Sequence, residues 1–454
     1  MAKEPQVMDK LISLCKRRGF VFPGSEIYSG IGGIYDLGPL GVELANNLKK
    51  AWWENIVQER DNIFGLDSQI LMNRKVWETS GHVASFADLL TECKNCHQRF
   101  RVDQLPSVVK TGSFDPSTAC PNCGNKNVLT EPRDFNLMFK THIGPVEDLP
   151  AGKAGEGSET YLRPETAQGI FVNFGNVVDT MRVKLPFGIA QIGKGFRNEI
   201  TTGNFLFRVR EFEMMELEYF VKPGEDEKAH NYWKQERFNW FINLGVKKEN
   251  IKLVDLPKEE LAHYSKGTTE IWYKWPFMDW GELEGIANRT DYDLKAHSQA
   301  SGRDLSYFDE ETKQKIVPYV IEPSVGVGRA MLAILLDAYT EEPDKDETRV
   351  VLKLHPKLSP VKVAILPLVR DEKLTKIALA LYDQLKKEFA VVYDEIASIG
   401  RRYRRQDEIG TPFAVTVDFD SLEDKSVTVR DRDSMKQQRI KISETPNLLR
   451  ERFK

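Results

Sequence analysis

Four of the five cysteines form two C-x-x-C pairs, Cys93 with Cys96 and Cys120 with Cys123. Each tight turn can present two thiolates, and four thiolates can close on one tetrahedral ion, so the pairs predict a structural zinc site. A metal-free knuckle and a redox pair are the alternatives. His97 follows Cys96 directly and is expected to be a bystander to the metal.

Charged and aromatic residues alternate on both sides of a turn expected at 201–204. Arg197 and Glu199 are two residues apart, which places them on one face of an extended strand. Guanidinium groups bind phosphate in a bidentate manner, an aromatic ring supports a base, and carboxylates attract cations. A nucleotide-binding hairpin is therefore predicted, and an ordinary sheet with a polar outer face is the alternative. Beyond the turn the same face carries Arg208, Arg210, Phe212, Met214 and Glu216.

Two glycine-containing stretches could approach a phosphate. Residues 188–194 match the start of a P-loop, but Gly195 stands where a hydroxyl would hold magnesium, and no helix is expected after it, so the P-loop is rejected. In the second stretch, Gly326 and Gly328 lie at a strand-to-helix turn, where anions bind. Arg329 would fall in the first turn of that helix, where a cation is unfavourable. This mismatch indicates a ligand role, with simple packing as the alternative.

A basic cluster near the C-terminus surrounds one aromatic residue. Arginines contact phosphates and aromatic rings stack under splayed bases where single-stranded loops are recognised. The cluster therefore predicts an RNA contact, with a solvated basic face as the alternative. It consists of Arg401, Arg402, Tyr403, Arg404 and Arg405.

The elements that must position these residues follow from the apolar periodicity. Helical spacing predicts a helix over 42–59, and an apolar run predicts a strand at 70–72. Paired strands are expected over 188–219, a charged helical region over 225–265, and a strand leading into a helix over 316–338. After an acidic linker near 343–347, alternating strands and helices predict a small α/β domain with a mixed sheet.

Bulk properties limit the function classes. The length of 454 residues favours two to four domains, and 41% apolar residues suffice for globular folding. The formal net charge of −4 means that any nucleic-acid contact must be local. The chain has no apolar run long enough to span a membrane, and its N-terminus has no apolar signal core. A cytoplasmic location without a membrane partner is expected.

Together these features resemble the class II aminoacyl-tRNA synthetases. Phe196-Arg197-Asn198-Glu199 matches their F-R-x-E motif, and the Gly326–Arg329 turn is similar to their third motif. The class I signature H-x-G-H is missing. Residues 401–412 resemble the anticodon-binding domain of this class. The resemblance narrows to the glycyl-tRNA synthetases over five segments, at 18–28, 36–43, 162–169, 281–294 and 321–326.

This resemblance implies an α+β fold: a class II antiparallel-sheet catalytic domain with a zinc-knuckle-like insertion and a C-terminal mixed α/β anticodon-binding domain. It implies a homodimer that uses ATP, Mg²⁺, glycine and tRNA-Gly. The expected boundaries are 1–87 for the first part of the core with the dimer motif, 88–150 for the insertion, 151–342 for the core with the second and third motifs, 343–356 for the linker and 357–454 for the anticodon-binding domain.

The resemblance also assigns site residues. Arg197, Arg329 and Glu199 would be catalytic: Arg197 on the α-phosphate, Arg329 on the γ-phosphate or the purine face, and Glu199 on the adenine amino group. Phe212 would stack on adenine, and Glu282 would meet ATP or its magnesium. The ATP-binding set is Arg197, Asn198, Glu199, Phe207, Arg208, Val209, Arg210, Glu211, Phe212, Glu282, Leu283, Gly326, Val327, Gly328 and Arg329. The glycine-binding set is Arg101, Glu165, Phe212, Glu213, Met214, Met215, Glu216, Glu322, Pro323, Ser324, Val325 and Gly326. The metal ligands would be Cys93, Cys96, Cys120 and Cys123, and the tRNA contacts would be Arg401, Arg402, Arg404 and Arg405.

One departure and two rival functions remain. The family usually has proline after the Met72-Asn73 pair, where this chain has Arg74, which affects the expected dimer interface. A non-catalytic nucleic-acid-binding protein on the same scaffold would not need Arg197, Glu199 or Arg329. A class II ligase for serine, threonine or proline is disfavoured by the 162–169 and 281–294 segments.

Overall fold

The computed structural model describes residues 7–144, 159–344 and 347–453, without the side chains of 109–111. The boundary expected at 150 and 151 lies outside these residues. The helices of the N-terminal part are α1 (Val7–Arg18), α2 (Pro39–Trp53), α3 (Arg74–Thr79), α4 (His82–Ser85), α5 (Pro106–Thr111), α6 (Ala167–Val172), α7 (Phe174–Met181), α8 (Asp226–Asn243), α9 (Tyr292–Ser301) and α10 (Val327–Ala338). Its strands are β1 (Val21–Pro23), β2 (Tyr35–Leu37), β3 (Ile63–Gly65), β4 (Ala87–Glu92), β5 (Arg99–Arg101), β6 (Arg133–Asn136), β7 (Phe139–His142), β8 (Glu159–Leu162), β9 (Phe187–Phe196), β10 (Glu211–Val221), β11 (Ile251–Asp255), β12 (Gly267–Tyr273), β13 (Gly281–Thr290), β14 (Tyr307–Asp309), β15 (Gln314–Ile316), β16 (Tyr319–Gly326), β17 (Tyr339–Asp344) and β18 (Glu347–Leu352).

A seven-stranded sheet organises this part, in the order β11-β12-β13-β16-β10-β9-β3. Its pairings are antiparallel except for β3 beside β9. The expected antiparallel catalytic sheet is therefore confirmed, with one parallel edge strand.

Side-chain alternation assigns the two faces of the sheet. Met215, Leu217 and Val325 point to one face and join a core built with α1, α2, α8 and α10. Phe220, on the opposite face, packs with residues of α6 and α7 in a second apolar cluster. The remaining side chains on that opposite face border a cleft.

Local sequence explains the helix bounds around the sheet. The helix expected over 42–59 is confirmed, because α2 begins at Pro39 in the first helical position and continues as a π-helical turn over Glu54–Gln58. The charged region 225–265 is helical only in part. The α8 helix ends at Asn243, just before Gly245, whose φ of +94° an L side chain rarely adopts, and β11 follows.

The strand expected at 70–72 does not form. Leu71 makes a single antiparallel bridge to Leu162, and α3 begins two residues after Met72. An isolated apolar triplet is too short to extend a ladder when a helix cap follows it.

The C-terminal part has its own sheet and core. Its strands are β19 (Val363–Pro367), β20 (Val391–Tyr393), β21 (Phe413–Val417), β22 (Ser426–Asp431) and β23 (Gln437–Lys441), and its helices are α11 (Glu372–Leu385), α12 (Ile399–Ile409), α13 (Asp420–Asp424) and α14 (Thr445–Arg452). The strand order is β20-β19-β21-β22-β23. The pairs of β19 are parallel, and those of β22 are antiparallel. The predicted small α/β domain with a mixed sheet is confirmed.

The segment expected to be a linker is structured for most of its length. Strand β17 pairs antiparallel with β18 from Tyr339–Leu352 inward to Asp344–Glu347. Arg349 on β18 is buried and donates from Nε to Asp407 of α12 over 2.8 Å. The hairpin therefore connects the two parts of the chain by side-chain contacts as well as by the backbone, and the expectation of a plain linker at 343–356 is corrected.

Among the described residues, no helix combines the length and apolarity that crossing a membrane requires.

Candidate functional site

The cleft lies at the loop that joins β9 to β10. Strand β9 ends at Phe196 and β10 begins at Glu211, so Arg197, Glu199, Arg208 and Arg210 lie in the loop. Their expected placement on paired strands is corrected. In this loop Arg197, Glu199 and Arg208 line the cleft, whereas Arg210 donates to the carbonyls of Gly32 and Glu199. Within β10, the alternation of Phe212, Met214 and Glu216 holds, and all three line the cleft.

Arg197 lies between two aromatic rings at the inner end of the cleft. Its guanidinium carbon is 5.4 Å from the ring centroid of Phe212 and 5.4 Å from that of Phe86. Its Nε donates to the carbonyl of Pro164 over 3.2 Å. Phe212 is opposite Gly195, where a Cβ would come within 2.7 Å of the ring, so glycine is required under this aromatic plate. The remaining guanidinium nitrogens can face an anion.

Glu199 is buried between two cations. Arg208 donates to its carboxylate over 3.2 Å, and a guanidinium nitrogen of Arg101 lies 4.0 Å from the same oxygen. Arg101 is held in turn by Asp88 at 3.0 Å and by Asp103. Burial raises the pKa of Asp88 in spite of the Arg101 charge. Arg101 therefore reaches the cleft only through Glu199, and it does not line the cleft as its predicted glycine contact required.

Arg329 and Glu282 form an ion pair on the other wall of the cleft. A guanidinium nitrogen donates to the carboxylate over 2.7 Å, and the Arg329 guanidinium lies 4.6 Å from the ring centroid of Phe207. Burial alone would raise the pKa of Glu282, but the charge and hydrogen bond of Arg329 outweigh it and hold that pKa below its ordinary value. Glu270 on the neighbouring strand also lines the cleft. Burial and repulsion by Glu282 raise the pKa of Glu270 to about 7.

The remaining predicted residues fall into two groups according to whether they line the cleft. Those that line the cleft are Glu165, Val209, Leu283, Ser324, Gly326 and Gly328, with Glu216 and Glu322. Those that the cleft does not include are Asn198, Arg210, Glu211, Glu213, Met215, Pro323, Val325 and Val327. Met215, Val325 and Val327 are in the apolar core, and Glu213 accepts from Lys49 over 3.1 Å. Glu211, Glu213, Met215, Pro323 and Val325 alternate with cleft-lining residues on β10 and β16, so their side chains point to the opposite face of the sheet.

A pocket lined by carboxylates occupies the end of the cleft near α6. One Glu216 oxygen accepts from the backbone nitrogen and the hydroxyl of Thr166, over 2.6 and 2.5 Å. The other accepts from the Ser324 hydroxyl over 2.7 Å. Glu216 and Ser324 are directly opposite on β10 and β16. These bonds fix a negative charge in one orientation on the floor of the pocket.

Arg289 balances the buried charge behind this pocket. It donates two bonds of 2.8 Å to Asp293 and one of 3.1 Å to each oxygen of Glu322, and it lies 3.8 Å from the ring centroid of Tyr264. Burial raises the pKa of Glu322, and repulsion by Glu216 and Glu165 raises it further, to about 8. The positive charge of Arg289 opposes this rise but does not cancel it.

Glu165 is held by a histidine that sequence analysis missed. His82 Nε2 is 3.3 Å from one Glu165 oxygen, and Gln168 donates to the other over 3.1 Å. His82 Nδ1 is 2.8 Å from the hydroxyl of Ser80. Burial opposes ionisation, but His82, Arg289 and Gln168 together lower the pKa of Glu165 well below its ordinary value. Arg289 was also missed, although it lies inside the 281–294 segment that carried the resemblance.

Family comparisons agree with this arrangement. Residues 152–339 match the model described as "tRNA synthetase class II core domain (G, H, P, S and T)", and residues 362–452 match "Anticodon binding domain". A glycine–tRNA ligase of Thermobifida fusca is 55% identical over 466 residues, covering 100% of this chain and 99% of that protein. One of Caldanaerobacter subterraneus subsp. tengcongensis is 56% identical over 465 residues, covering 98% of each. The chain belongs to the glycine–tRNA ligase family.

Solved structures share the fold at low identity. A prolyl-tRNA synthetase of Cryptosporidium parvum has a TM-score of 0.64 at 18% identity, covering 98% of this chain and 76% of that one. A prolyl-tRNA synthetase of Giardia lamblia has a TM-score of 0.65 at 15% identity, covering 97% and 76%. These likenesses show the class II synthetase architecture that this family member shares.

The four cysteines of this family member come together as predicted. Their sulfurs all lie within 4.8 Å of one another. Cys93 and Cys123 are 3.7 Å apart at sulfur, as are Cys96 and Cys120. Four sulfurs bound tetrahedrally at about 2.3 Å from zinc would be about 3.8 Å apart, so the cluster fits that ion. The His97 side chain is 77% exposed and pairs with Glu92, in keeping with a bystander role.

The arginines of α12 differ in their availability to RNA. Arg401 is exposed. Arg402 is 1% exposed and donates to the carbonyls of Pro367, Asp394 and Leu368. The predicted tRNA contact of Arg402 is corrected, because its guanidinium is buried and already hydrogen-bonded to backbone carbonyls of the domain.

The two remaining arginines of the cluster are partly buried. Arg404 pairs with Asp344 and Asp407, and Arg405 pairs with Asp394 at 2.5 Å. Their charges are therefore already partly neutralised by the protein, which weakens the attraction each can offer to a phosphate.

Arg74, which replaces the proline usual in this family, lies at the first position of α3. Asn73 caps this helix by accepting from the backbone nitrogen of Lys75 over 2.9 Å. Proline is tolerated at the first helical position because its missing N–H has no partner there. Arginine can therefore take that place without a change in the helix, and it pairs with Glu78 and Glu159.

Proposed function

We propose that this chain attaches glycine to tRNA-Gly in two steps. In the first, a glycine carboxylate oxygen attacks the α-phosphorus of ATP, a new P–O bond forms, and pyrophosphate leaves. In the second, a ribose hydroxyl at the 3′ end of the tRNA attacks the glycyl carbonyl, and AMP leaves with the proton released to solvent. Membership of the glycine–tRNA ligases supports this assignment.

The observation that carries the proposal is an anionic pocket joined to a cleft whose walls carry Arg197, Arg208 and Arg329. Glu165, Glu216 and Glu322 surround a space whose floor also holds Ser324. An amino-acid ammonium that leaves water needs carboxylates of this kind around it. The carboxylate end of the same amino acid would then point along the cleft toward Arg197. A small amino acid fits, since steric exclusion can reject larger ones.

For ATP, the proposed roles follow the charge pattern of the cleft. Arg197 would stabilise charge on the α-phosphate, and Phe212 would support the adenine. Arg329 would bind the γ-phosphate or the purine face, and Glu199 would accept from the adenine amino group. No protein nucleophile is needed, because positioning and charge stabilisation lower the barrier.

Mg²⁺ would be held at Glu282 and Glu270. These two carboxylates lie on neighbouring strands and both line the cleft, and repulsion by Glu282 adds to burial in raising the pKa of Glu270. When bound, magnesium would neutralise phosphate charge. Zinc in the cysteine cluster would be structural.

The tRNA partner would bind the C-terminal domain, where Arg401 is the exposed arginine of the α12 cluster. The homodimer and the cytoplasmic location stay predictions. The test is exchange of labelled pyrophosphate into ATP with glycine, alanine or proline present, followed by charging of tRNA-Gly. Exchange that depends on glycine alone supports the proposal. Exchange driven by proline, or binding of tRNA without any exchange, would replace it with one of the two rival functions.

A further inference from the structure

The cysteine module reaches the nucleotide site through one strand. Strand β5 begins at Arg99, three residues after Cys96, and ends at Arg101. It pairs with β4, which carries Asp88 and ends one residue before Cys93. In addition, the backbone nitrogen of Cys93 donates to the carbonyl of Gln98 over 2.9 Å. The Cys93–Cys96 turn that would bind the metal therefore also sets the position of β4 relative to β5.

Arg101 leaves this strand toward the substrate cleft. Its guanidinium is fixed by Asp88 at 3.0 Å and by two bonds of 3.0 and 2.9 Å to Asp103. The side chain is 15% exposed and that of Glu199 is 9% exposed, so their 4.0 Å approach is little screened by water. Glu199 is otherwise paired with Arg208. Its orientation thus depends on opposing cations from the module and from its own loop.

A second contact joins the module to the same loop. The backbone nitrogen of Asn198 donates over 2.8 Å to the carbonyl of Leu137, directly after β6. Strand β6 pairs with the other edge of β4. The backbone beside Glu199 and the carboxylate of Glu199 are therefore both attached to one small sheet.

We propose that Arg101 is a positioning residue for Glu199, and that the metal held by the four cysteines sets nucleotide affinity through it. The proposal builds on the function above in one respect, the assignment of Glu199 to the adenine. With the metal bound, the knuckle holds β5 and Arg101 keeps the Glu199 carboxylate turned toward the cleft. Without the metal, β5 loosens, and Glu199 closes on Arg208.

The test measures equilibrium binding of ATP by calorimetry, without glycine or tRNA. Arg101→Gln should weaken ATP binding by about tenfold, the scale of one charge-assisted contact. The loss should be much smaller for purine riboside triphosphate, which lacks the amino group that Glu199 would read. Arg99→Gln is the matched control, since Arg99 is on the same strand, is exposed and pairs with Glu92 at 3.2 Å. It should bind ATP as the wild type does.

The metal arm uses Cys123→Ser, with zinc content and circular dichroism recorded on each preparation. Cys123→Ser should lose zinc and weaken ATP binding as much as Arg101→Gln does, and the double variant should be no weaker than either. If Cys123→Ser does not fold, removal of zinc by a chelator replaces it. ATP binding should then fall with zinc release in the wild type and stay level in Arg101→Gln.

Two outcomes would overturn the proposal. One is unchanged ATP affinity in a folded, zinc-free protein, and the other is full additivity of the two substitutions. Failure of the proposed function is separate from both, because it would show as missing glycine-dependent exchange in the wild type whatever the binding data are.

Discussion

His82 and Glu165 are in direct contact at the wall of the anionic pocket, with 3.3 Å between Nε2 and the carboxylate oxygen. His82 begins the short helix α4, and Glu165 precedes α6. The pair therefore connects two separate segments at the point where an ammonium group would bind. It makes the orientation of Glu165 depend on a residue outside the recognised synthetase motifs.

Neutralising Glu165 should weaken glycine binding strongly. Glu165→Gln removes a buried charge that the substrate ammonium would need, and we expect a loss of roughly 2–5 kcal/mol. His82→Gln should raise KM for glycine by a smaller factor and change kcat less, because the carboxylate remains but loses its support. Glycine-dependent pyrophosphate exchange measures both. Equal KM values for Glu165→Gln and the wild type would place the ammonium elsewhere.

The pH dependence of glycine binding should follow Glu322. The pKa of Glu322 is raised to about 8 by burial and by its acidic neighbours. The group is therefore neutral below that value and gains its charge as the pH rises through it. KM for glycine should fall as the pH rises from about 6.5 to about 8.5, where the substrate ammonium is still protonated.

Glu322→Gln is the control for that dependence, since it cannot ionise. The variant should show a high KM for glycine that varies little over the same pH range. A slope equal to that of the wild type would assign the titration to another group. Protein stability should change in the opposite direction to glycine affinity. Because the folded state raises the pKa of Glu322, the free energy of unfolding should decrease as the pH rises above the ordinary pKa of a glutamate.

The purified protein should contain about one zinc per chain, since the four sulfurs already have tetrahedral spacing. Metal analysis of protein never exposed to chelator gives the ratio. Removal of the ion should lower the melting temperature, because binding to the folded state contributes to stability. A ratio near zero with normal exchange activity would favour the metal-free knuckle.

Arg401 and Arg402 should respond oppositely to alanine. Arg401→Ala should weaken binding of tRNA-Gly, lower its salt dependence by about one unit of slope, and leave pyrophosphate exchange unchanged. Arg402→Ala should instead destabilise the C-terminal domain by about 3 kcal/mol or more, since it removes three charge-assisted hydrogen bonds to backbone carbonyls, one buried and two partly buried. Filter binding over a salt series and thermal unfolding separate the two effects. A stable Arg402→Ala protein with weakened tRNA binding would restore the original assignment.

The sequence predicted those parts of the site that local periodicity determines. Phe212, Met214 and Glu216 alternate along one strand, so their common face followed from spacing, whereas Glu322 and Ser324 were assigned only from the family resemblance. The contacts of His82 with Glu165 and of Arg289 with Glu322 join segments far apart in the chain, and spacing carries no signal for them. The clustering of the four cysteines was predictable because paired C-x-x-C turns are typical of metal-binding knuckles.

Burial of charged residues was the harder problem. Arg402 and Gln406 occupy the inner face of α12 together with Ile409. The apolar residues of that helix, such as Ile399 and Tyr403, are recognisable from the sequence, but residue type gives no sign that Arg402 and Gln406 are buried beside them. The acidic stretch at 343–347 likewise indicated a linker, although the strands on either side of it pair across the hairpin. In both cases buried polar contacts replace the apolar contacts on which sequence periodicity depends: carbonyl bonds for Arg402, and the ion pair with Asp407 for Arg349.

The β17–β18 hairpin also determines where this chain can be divided. A truncation after Asp344 would leave β17 without its partner strand, and one after Leu352 would separate Arg349 from Asp407. A buried guanidinium without its carboxylate is strongly destabilising. A recombinant fragment or a chimera with a relative must therefore carry compatible residues on both sides of this junction. We therefore expect the two parts to have evolved together, with residues at this junction that match each other.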